Sequence, residues 1–321
     1  MFKNILLFLS LIISSLFASD VITDYRFNGL NNLEKKMDLE LTKTDYWASY
    51  IKEYDTTFGF IENYSAILTC NKEKSKLSLY KHNKDKKFTF VKDYGAFTGE
   101  IKGSKTQEGD LKTPVGIYNL TKRISELDSF YGPLAFVTSY PNEYDKLKGR
   151  NGHGIWIHGL PTEEEREDFT KGCIAIDNDN IECLDRNINF NNTLLIINKT
   201  DVSHDISKEK LALLLSNLYK WRYAWLYSDI HSYLEFYADD FIRFDGMKYK
   251  EFKRYKTRVF KQHGKKTIIF NNISVVPYPD TTDIYQITFE ETYRSPTFRF
   301  KGGKSLMVKI VNNKMKIFTE R

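Results

Sequence analysis

Apolar positions change their period several times along the chain. Residues 5–17 form an apolar run broken only by Ser10, Ser14 and Ser15, with Lys3 before it and the small residue Ala18 after it. That is the pattern of a secretory leader, and the run is short for a spanning helix of about 20 residues. Residues 1–18 are therefore assigned to a leader that sends the protein to the periplasm, or tethers it to the membrane if left uncut. Residues 19–60 are predicted to be helical. Thr44 can cap a short helix on which Tyr46, Trp47, Tyr50, Ile51 and Tyr54 share a face. The period then shortens to two. Strand-like runs fall at 65–70, 76–81, 87–92, 115–120, 155–157 and 194–197, separated by polar turns.

Helical spacing returns after Ser207, a residue suited to an N-cap. Trp221, Trp225, Asp229, Tyr233, Tyr237 and Phe241 recur every four residues and predict one long helix with an aromatic face. Asp229 is the polar exception on that face and is expected to have a hydrogen-bond partner. Strands are predicted at 267–276, 284–293, 297–301, 305–311 and 314–319. Gly302-Gly303 and Asn312-Asn313 are expected to turn hairpins, where positive φ is needed. The expected fold class is α+β, with a helical N-terminal segment (19–60), a β-rich domain (61–202) and a helix-and-antiparallel-sheet domain (203–321).

Composition narrows the function. The 321 residues carry 15% aromatics and seven prolines, which supports large cores and excludes a long Pro-rich linker. A net charge of +6 is slight, and no nucleic-acid motif accompanies it. Cys70, Cys173 and Cys183 are too few for a disulfide scaffold, and their odd number leaves a thiol free. Whether Cys70 pairs with Cys183 stays open at this stage. No set of His, Cys or Asp residues has zinc-ligand spacing, so neither metal nor cofactor is expected.

The candidate chemistry lies between Arg150 and residue 178. Gly149-Arg150-Asn151-Gly152-His153-Gly154 leads into Ile155-Trp156-Ile157-His158-Gly159, and Thr170-Lys171-Gly172-Cys173 follows. A cysteine attacks as its thiolate, and a neighbouring histidine can take the proton and return it to a leaving group. His158 ends an alternating run, at the rigid end of a strand. Gly172 permits close backbone approach, so its N–H and that of Cys173 could face a developing oxyanion.

These residues resemble the YkuD family of L,D-transpeptidases and L,D-carboxypeptidases. That family carries a strand ending in His-Gly and then Ser/Thr-x-Gly-Cys, here His158-Gly159 and Thr170-Lys171-Gly172-Cys173. Upstream, Thr113-Pro114-Val115-Gly116 is similar to the family's Thr-Pro-x-Gly strand opening, and the resemblance covers about residues 62–200. Two positions depart from it. Lys171 stands where the family often has His, and Ala175 where it often has Arg or Asn. The whole layout is similar to the peptidoglycan L,D-carboxypeptidases of helical bacteria, which trim tetrapeptide stems to tripeptides and set cell shape.

The resemblance implies that Cys173 is the nucleophile, that His158 is the base, and that the Gly159 carbonyl orients the imidazole. It implies a C-terminal cone like nuclear transport factor or SnoaL, muropeptides as binding partners, and a homodimer formed through the N-terminal segment. Thr170, Lys171, Arg150, Trp156, Tyr131 and Tyr140 are the candidates for holding substrate. Tyr233, Phe241 and Lys304 are the candidates for a C-terminal pocket. The competing readings are an L,D-transpeptidase that makes 3–3 cross-links and a non-catalytic wall-binding module.

Overall fold

The apolar runs around residues 67 and 195 lie side by side in one sheet. The computed structural model describes residues 2–85, 87–162, 169–200, 206–262 and 264–321, with side chains from Asp20 onward. The expected leader thus lies outside the described side chains. An N-terminal arm comprises α1 (Phe2–Glu40), α2 (Thr44–Tyr50) and β1 (Phe60–Ile61). Helix α1 is interrupted at Gly29, whose φ is 73°.

The middle domain contains β2 (Ala66–Asn71), β3 (Lys76–His82), β4 (Phe88–Gly95), β5 (Gly116–Ile124), β6 (Ala135–Thr138), α3 (Glu143–Leu147), β7 (Trp156–His158), β8 (Ile174–Ala175), α4 (Asn178–Asn187) and β9 (Thr193–Asn198). Its sheet has eight strands in the order β4-β3-β2-β9-β5-β6-β7-β8. The β2–β9 and β7–β8 pairs are parallel. Both β2 and β9 are buried at every position, which is why they read as continuous apolar runs. One face, with Leu68, Cys70, Leu195 and Ile197, packs into the middle domain. The other, with Ile67, Leu194 and Ile196, meets Val276, Tyr278, Met307 and Phe318 of the C-terminal domain.

That domain contains α5 (Lys208–Leu226), α6 (Ile230–Glu235), α7 (Tyr249–Phe260), β10 (Thr267–Pro277), β11 (Ile284–Arg294), β12 (Arg299–Val311) and β13 (Lys314–Glu320). Its sheet runs β1-β10-β11-β12-β13, so the arm supplies the edge strand. Phe60 pairs with Val275, and Trp47, Ile51 and Phe60 join the C-terminal core. Asp38 of α1 accepts hydrogen bonds from Arg222 (2.8 Å) and Tyr227 (3.0 Å). The expected boundary at residue 60 is therefore displaced: the arm is part of the C-terminal domain, and Phe60–Ile61 belongs to its sheet. Among the described residues, no helix is long and apolar enough to cross a membrane.

Two expected elements differ. The four-residue aromatic register is not one helix. It breaks after Leu226, Ser228 takes φ 62°, and Asp229 caps α6 by accepting from the Ser232 backbone N–H at 3.1 Å. Asp229 also accepts from the Ser232 hydroxyl at 2.6 Å, which is the partner its position called for. Nor do Gly302-Gly303 form a turn. They lie inside the continuous strand β12, opposite Glu291 and Glu290. A Cβ on Gly302 would come within 2.9 Å of the Phe300 ring, so the glycine makes room for an aromatic neighbour. Asn312-Asn313 do form the expected hairpin turn, with φ of 51° and 58°.

Candidate active site

Strands β7 and β8 bring the two candidate reacting groups together. In their parallel pairing Ile157 is level with Ile174 and His158 with Ala175. Continuing the register puts Cys173 level with Trp156, and the alternation of strand side chains puts it on the face that carries His158. Ile157 and Ile174 point the other way, into the core. Beyond β8, Phe97 and Ala175 exchange backbone hydrogen bonds of 2.8 and 2.9 Å, which pins the strand that follows Cys173 on its second side. Ala175 is fully buried there, so no arginine or asparagine reaches the site from that position.

The His158 ring is buried, and its Nδ1 lies 2.7 Å from the Gly159 carbonyl oxygen. A carbonyl can only accept, so Nδ1 carries a proton, and in the neutral form of the ring Nε2 is the basic nitrogen. The Tyr131 ring meets the imidazole edge-on at 5.2 Å and lies 5.1 Å from Trp156, giving an aromatic wall. Burial, together with the nearby Cys173 sulfur, raises the Tyr131 phenol above its ordinary pKa.

The Cys173 turn is shaped by Thr170. Its hydroxyl donates to the Cys173 carbonyl at 2.7 Å and accepts from Gly172 N–H at 3.0 Å. The Gly172 N–H, expected to face an oxyanion, is thus engaged inside the turn. Gly172 has φ 131°, and a Cβ there would lie 2.9 Å from the Lys112 carbonyl oxygen. The Cys173 thiol lies 3.3 Å from the Gly154 carbonyl oxygen.

The loop carrying Lys112 is braced from within. Lys105 and Asp110 form an ion pair of 2.8 Å with side chains 4% and 7% exposed. Burial pushes the Asp110 carboxyl up, but Lys105 and the backbone N–H groups of Thr106, Gln107 and Lys112 outweigh it and hold the pKa well below the ordinary value. The Lys72 ammonium donates to the carbonyls of Gly103 and Thr113 at the loop's ends. A cavity of about 330 Å³ opens beside Gly99 and Phe169, with Lys72, Lys102 and Lys199 on its walls.

The other expected site residues separate. Thr170 bonds the Cys173 carbonyl, Tyr131 meets His158 and Trp156 meets Tyr131, and Lys171 is exposed on the same turn. Arg150 is committed to the buried Asp145 at 2.8 Å, and Tyr140 donates to the Asn151 carbonyl at 2.8 Å. Both therefore brace the domain. Tyr233 and Phe241 are 0% and 1% exposed, packed among Trp221, Phe252 and Phe260, so neither lines an open pocket. Lys304 lies 3.8 Å from Glu320. That carboxylate accepts from Tyr237 at 2.8 Å, and Tyr237 and Tyr233 share a hydrogen bond of 2.7 Å. Burial pushes Glu320 up, but Lys304, Lys256 and the Tyr237 bond hold it below its ordinary pKa. Among the described residues there is no disulfide, so Cys70 and Cys183 do not pair. Burial pushes the Cys70 thiol up to about 12.

Sequence reasoning missed Asn178. Its Oδ1 accepts from Leu160 N–H at 2.7 Å, directly behind the His158–Gly159 contact. The flanking Gly132 and Gly159 were visible in the sequence, but their packing against this amide was not.

The L,D-transpeptidase catalytic domain, YkuD, matches residues 65–197, and the Cds6 C-terminal NTF2-like domain matches residues 213–321. The crystal structure of the helical cell shape determining protein Pgp2 from Campylobacter jejuni is similar across both domains. It has 36% identity and a TM-score of 0.80, and the match covers 87% of this chain and 99% of Pgp2. The chain therefore belongs to the YkuD-type L,D-transpeptidase family, in the form that carries an NTF2-like C-terminal domain. Bd1075 of Bdellovibrio bacteriovorus is similar at 28% identity and TM-score 0.63, over 81% of this chain and 92% of Bd1075. The L,D-transpeptidase-like protein YafK of Escherichia coli is 32% identical over 80 residues, which is 25% of this chain and 29% of YafK. The match thus spans under a third of that curated relative.

Proposed function

We propose that this protein is an exported cysteine L,D-carboxypeptidase of the periplasm. It removes the terminal D-alanine from peptidoglycan tetrapeptide stems and leaves tripeptides. The single observation that supports this reading is the His158 imidazole, held through Nδ1 by the Gly159 carbonyl on the sheet face that Cys173 shares.

In this mechanism His158 Nε2 takes the Cys173 proton, and the sulfur attacks the carbonyl between meso-diaminopimelate and D-alanine. The tetrahedral oxyanion leans on the Cys173 backbone N–H, and on Gly172 once its bond to Thr170 opens. His158 then protonates the departing amine, leaving a thioester. Water, deprotonated by the same imidazole, hydrolyses the thioester and restores the thiol. Tyr131 and Trp156 give the stem an apolar wall, and the Lys102 and Lys199 side of the adjacent cavity suits its carboxylates. Hydrolysis is favoured over transfer because the buried Ala175 supplies no polar group for holding an acceptor stem. The C-terminal domain holds the glycan or stem near Lys304. Two copies associate through α1, where Ile22, Phe27 and Leu30 are 66%, 70% and 61% exposed. Light scattering of the purified chain checks that association.

The test is muropeptide chromatography after incubating sacculi with purified protein. Tetrapeptide loss with matching tripeptide gain is expected. The appearance of 3–3 dimers would reassign the protein as a transpeptidase, and unchanged muropeptides with sacculi still bound would make it a binding module.

A further inference from the structure

We propose that Asn178 is a positioning residue that orients and polarises the His158 imidazole through a single peptide group. The inference rests on the reading of His158 and Cys173 as base and nucleophile. The Gly159 C=O and the Leu160 N–H belong to the same peptide unit. On one side its oxygen accepts from His158 Nδ1 at 2.7 Å, and on the other its N–H donates to Asn178 Oδ1 at 2.7 Å. The sequence of donors is thus His158 Nδ1–H to the peptide, and the peptide to the Asn178 amide. Each bond in such a chain polarises the next. An acceptor on Leu160 N–H makes the Gly159 oxygen a stronger acceptor, which holds the Nδ1–H tautomer and supports the imidazolium formed when Nε2 takes a proton.

Packing shows that this amide is built into the site. A Cβ on Gly159 would lie 2.4 Å from Asn178 Oδ1, and one on Gly132 would lie 2.5 Å from the same oxygen. A Gly132 Cβ would also come within 2.8 Å of Gly159 Cα and 2.9 Å of Leu160 N. Gly132 has φ 69°, which favours glycine independently. Tyr131, the residue before it, carries the ring set edge-on against His158. One amide oxygen therefore gathers the imidazole's carbonyl partner and the loop bearing its aromatic neighbour. Asn178 is the first residue of α4, only five positions beyond Cys173, so the segment that supplies the nucleophile also supplies the brace for its base.

The test uses the full chain with Cys183→Ser, so that Cys173 is the accessible thiol while Cys70 stays buried. Iodoacetamide alkylation of Cys173 is followed against pH in Asn178→Leu, Asn178→Asp and His158→Ala backgrounds. The same Asn178 variants are assayed on purified tetrapeptide. Asn178→Leu removes the acceptor at similar size. It should slow neutral-pH alkylation and lower kcat by about tenfold, with KM within about twofold. Asn178→Asp keeps an oxygen on Leu160 N–H and should recover most of both. If His158→Ala shifts the alkylation profile but Asn178→Leu matches its parent, the Asn178 role is overturned and the base assignment stands. If His158→Ala leaves the profile unchanged, the base assignment falls and the Asn178 role with it. Should Asn178→Leu fail to fold, Asn178→Ser, whose hydroxyl is too short to reach Leu160 N–H, is read in the same way.

Discussion

The Cys173 turn and the interior of the C-terminal domain both gather polar groups, and they do so in opposite ways. Around Cys173 the controlling partners are mostly backbone: the carbonyls of Gly159, Gly154 and Lys112, and the Leu160 N–H. Glycines at 132, 159 and 172 let that backbone approach. In the C-terminal domain the partners are side chains. Tyr233, Tyr237, Glu320 and Lys304 come from α6, the segment after it and two strands, inside an aromatic shell. A backbone-built site leaves a local sequence signature because its geometry demands particular glycines at short range. A side-chain network assembled across the fold leaves only scattered polar residues in apolar patterns.

The contrast predicts different failures when each region is altered. Cys173→Ala should lower tetrapeptide turnover by about a thousandfold or more while leaving the thermal melt close to wild type, since the thiol is half-exposed. Gly159→Ala should cost about a hundredfold in kcat, because its Cβ would collide with Asn178 Oδ1 and displace the imidazole's partner. Breaking the buried Lys105–Asp110 pair with Asp110→Ala should cost about 3–5 kcal/mol in urea unfolding, and activity should fall with it because the loop packs on Gly172.

In the C-terminal domain the change should appear in stability rather than catalysis. Tyr237→Phe should cost about 1–3 kcal/mol, by leaving Glu320 short of a donor, with kcat unchanged on small muropeptides. The pH dependence has a defined sign. Desolvation, only partly offset by Glu320, lowers the Lys256 pKa from 10.5 to about 8. Between those values the unfolded chain binds more protons, so unfolding free energy should rise with pH across that window. Lys256→Met should flatten the rise. The smallest effect belongs to the surface pair Arg123–Asp185, with side chains 37% and 23% exposed. Asp185→Ala should shift stability by less than about 1 kcal/mol and leave activity untouched.

Much of the middle domain was legible because its signals are local. The strand at 155–157, the His-Gly that follows and the Thr-x-Gly-Cys turn are each set by neighbours in sequence, and β2, β3 and β9 follow their apolar runs. What escaped depends on distant contacts. Periodicity alone joined Trp221 to Phe241 in one helix, because Asp229 as a cap falls at the same four-residue interval as the aromatic residues. Gly302-Gly303 carried a turn signal, but the reason for Gly302 is the Phe300 ring two residues away on the same strand. Phe60–Ile61 was placed with neither partner, since its pairing with Val275 and Ser274 spans most of the chain. Asn178 went unnoticed because an asparagine opening a helix has an ordinary local explanation, and its role is visible only once Leu160 lies beside it.

In the proposed function the Cys173 sulfur, activated by His158, cleaves the terminal D-alanine from tetrapeptide stems. Side-by-side digestion of purified disaccharide tetrapeptide by wild type, Cys173→Ala and His158→Ala, with products resolved by mass spectrometry, tests it most directly. Tripeptide and free D-alanine are expected in equal amounts from wild type, and neither from the two folded variants. Tripeptide released by Cys173→Ala at the wild-type rate would contradict it.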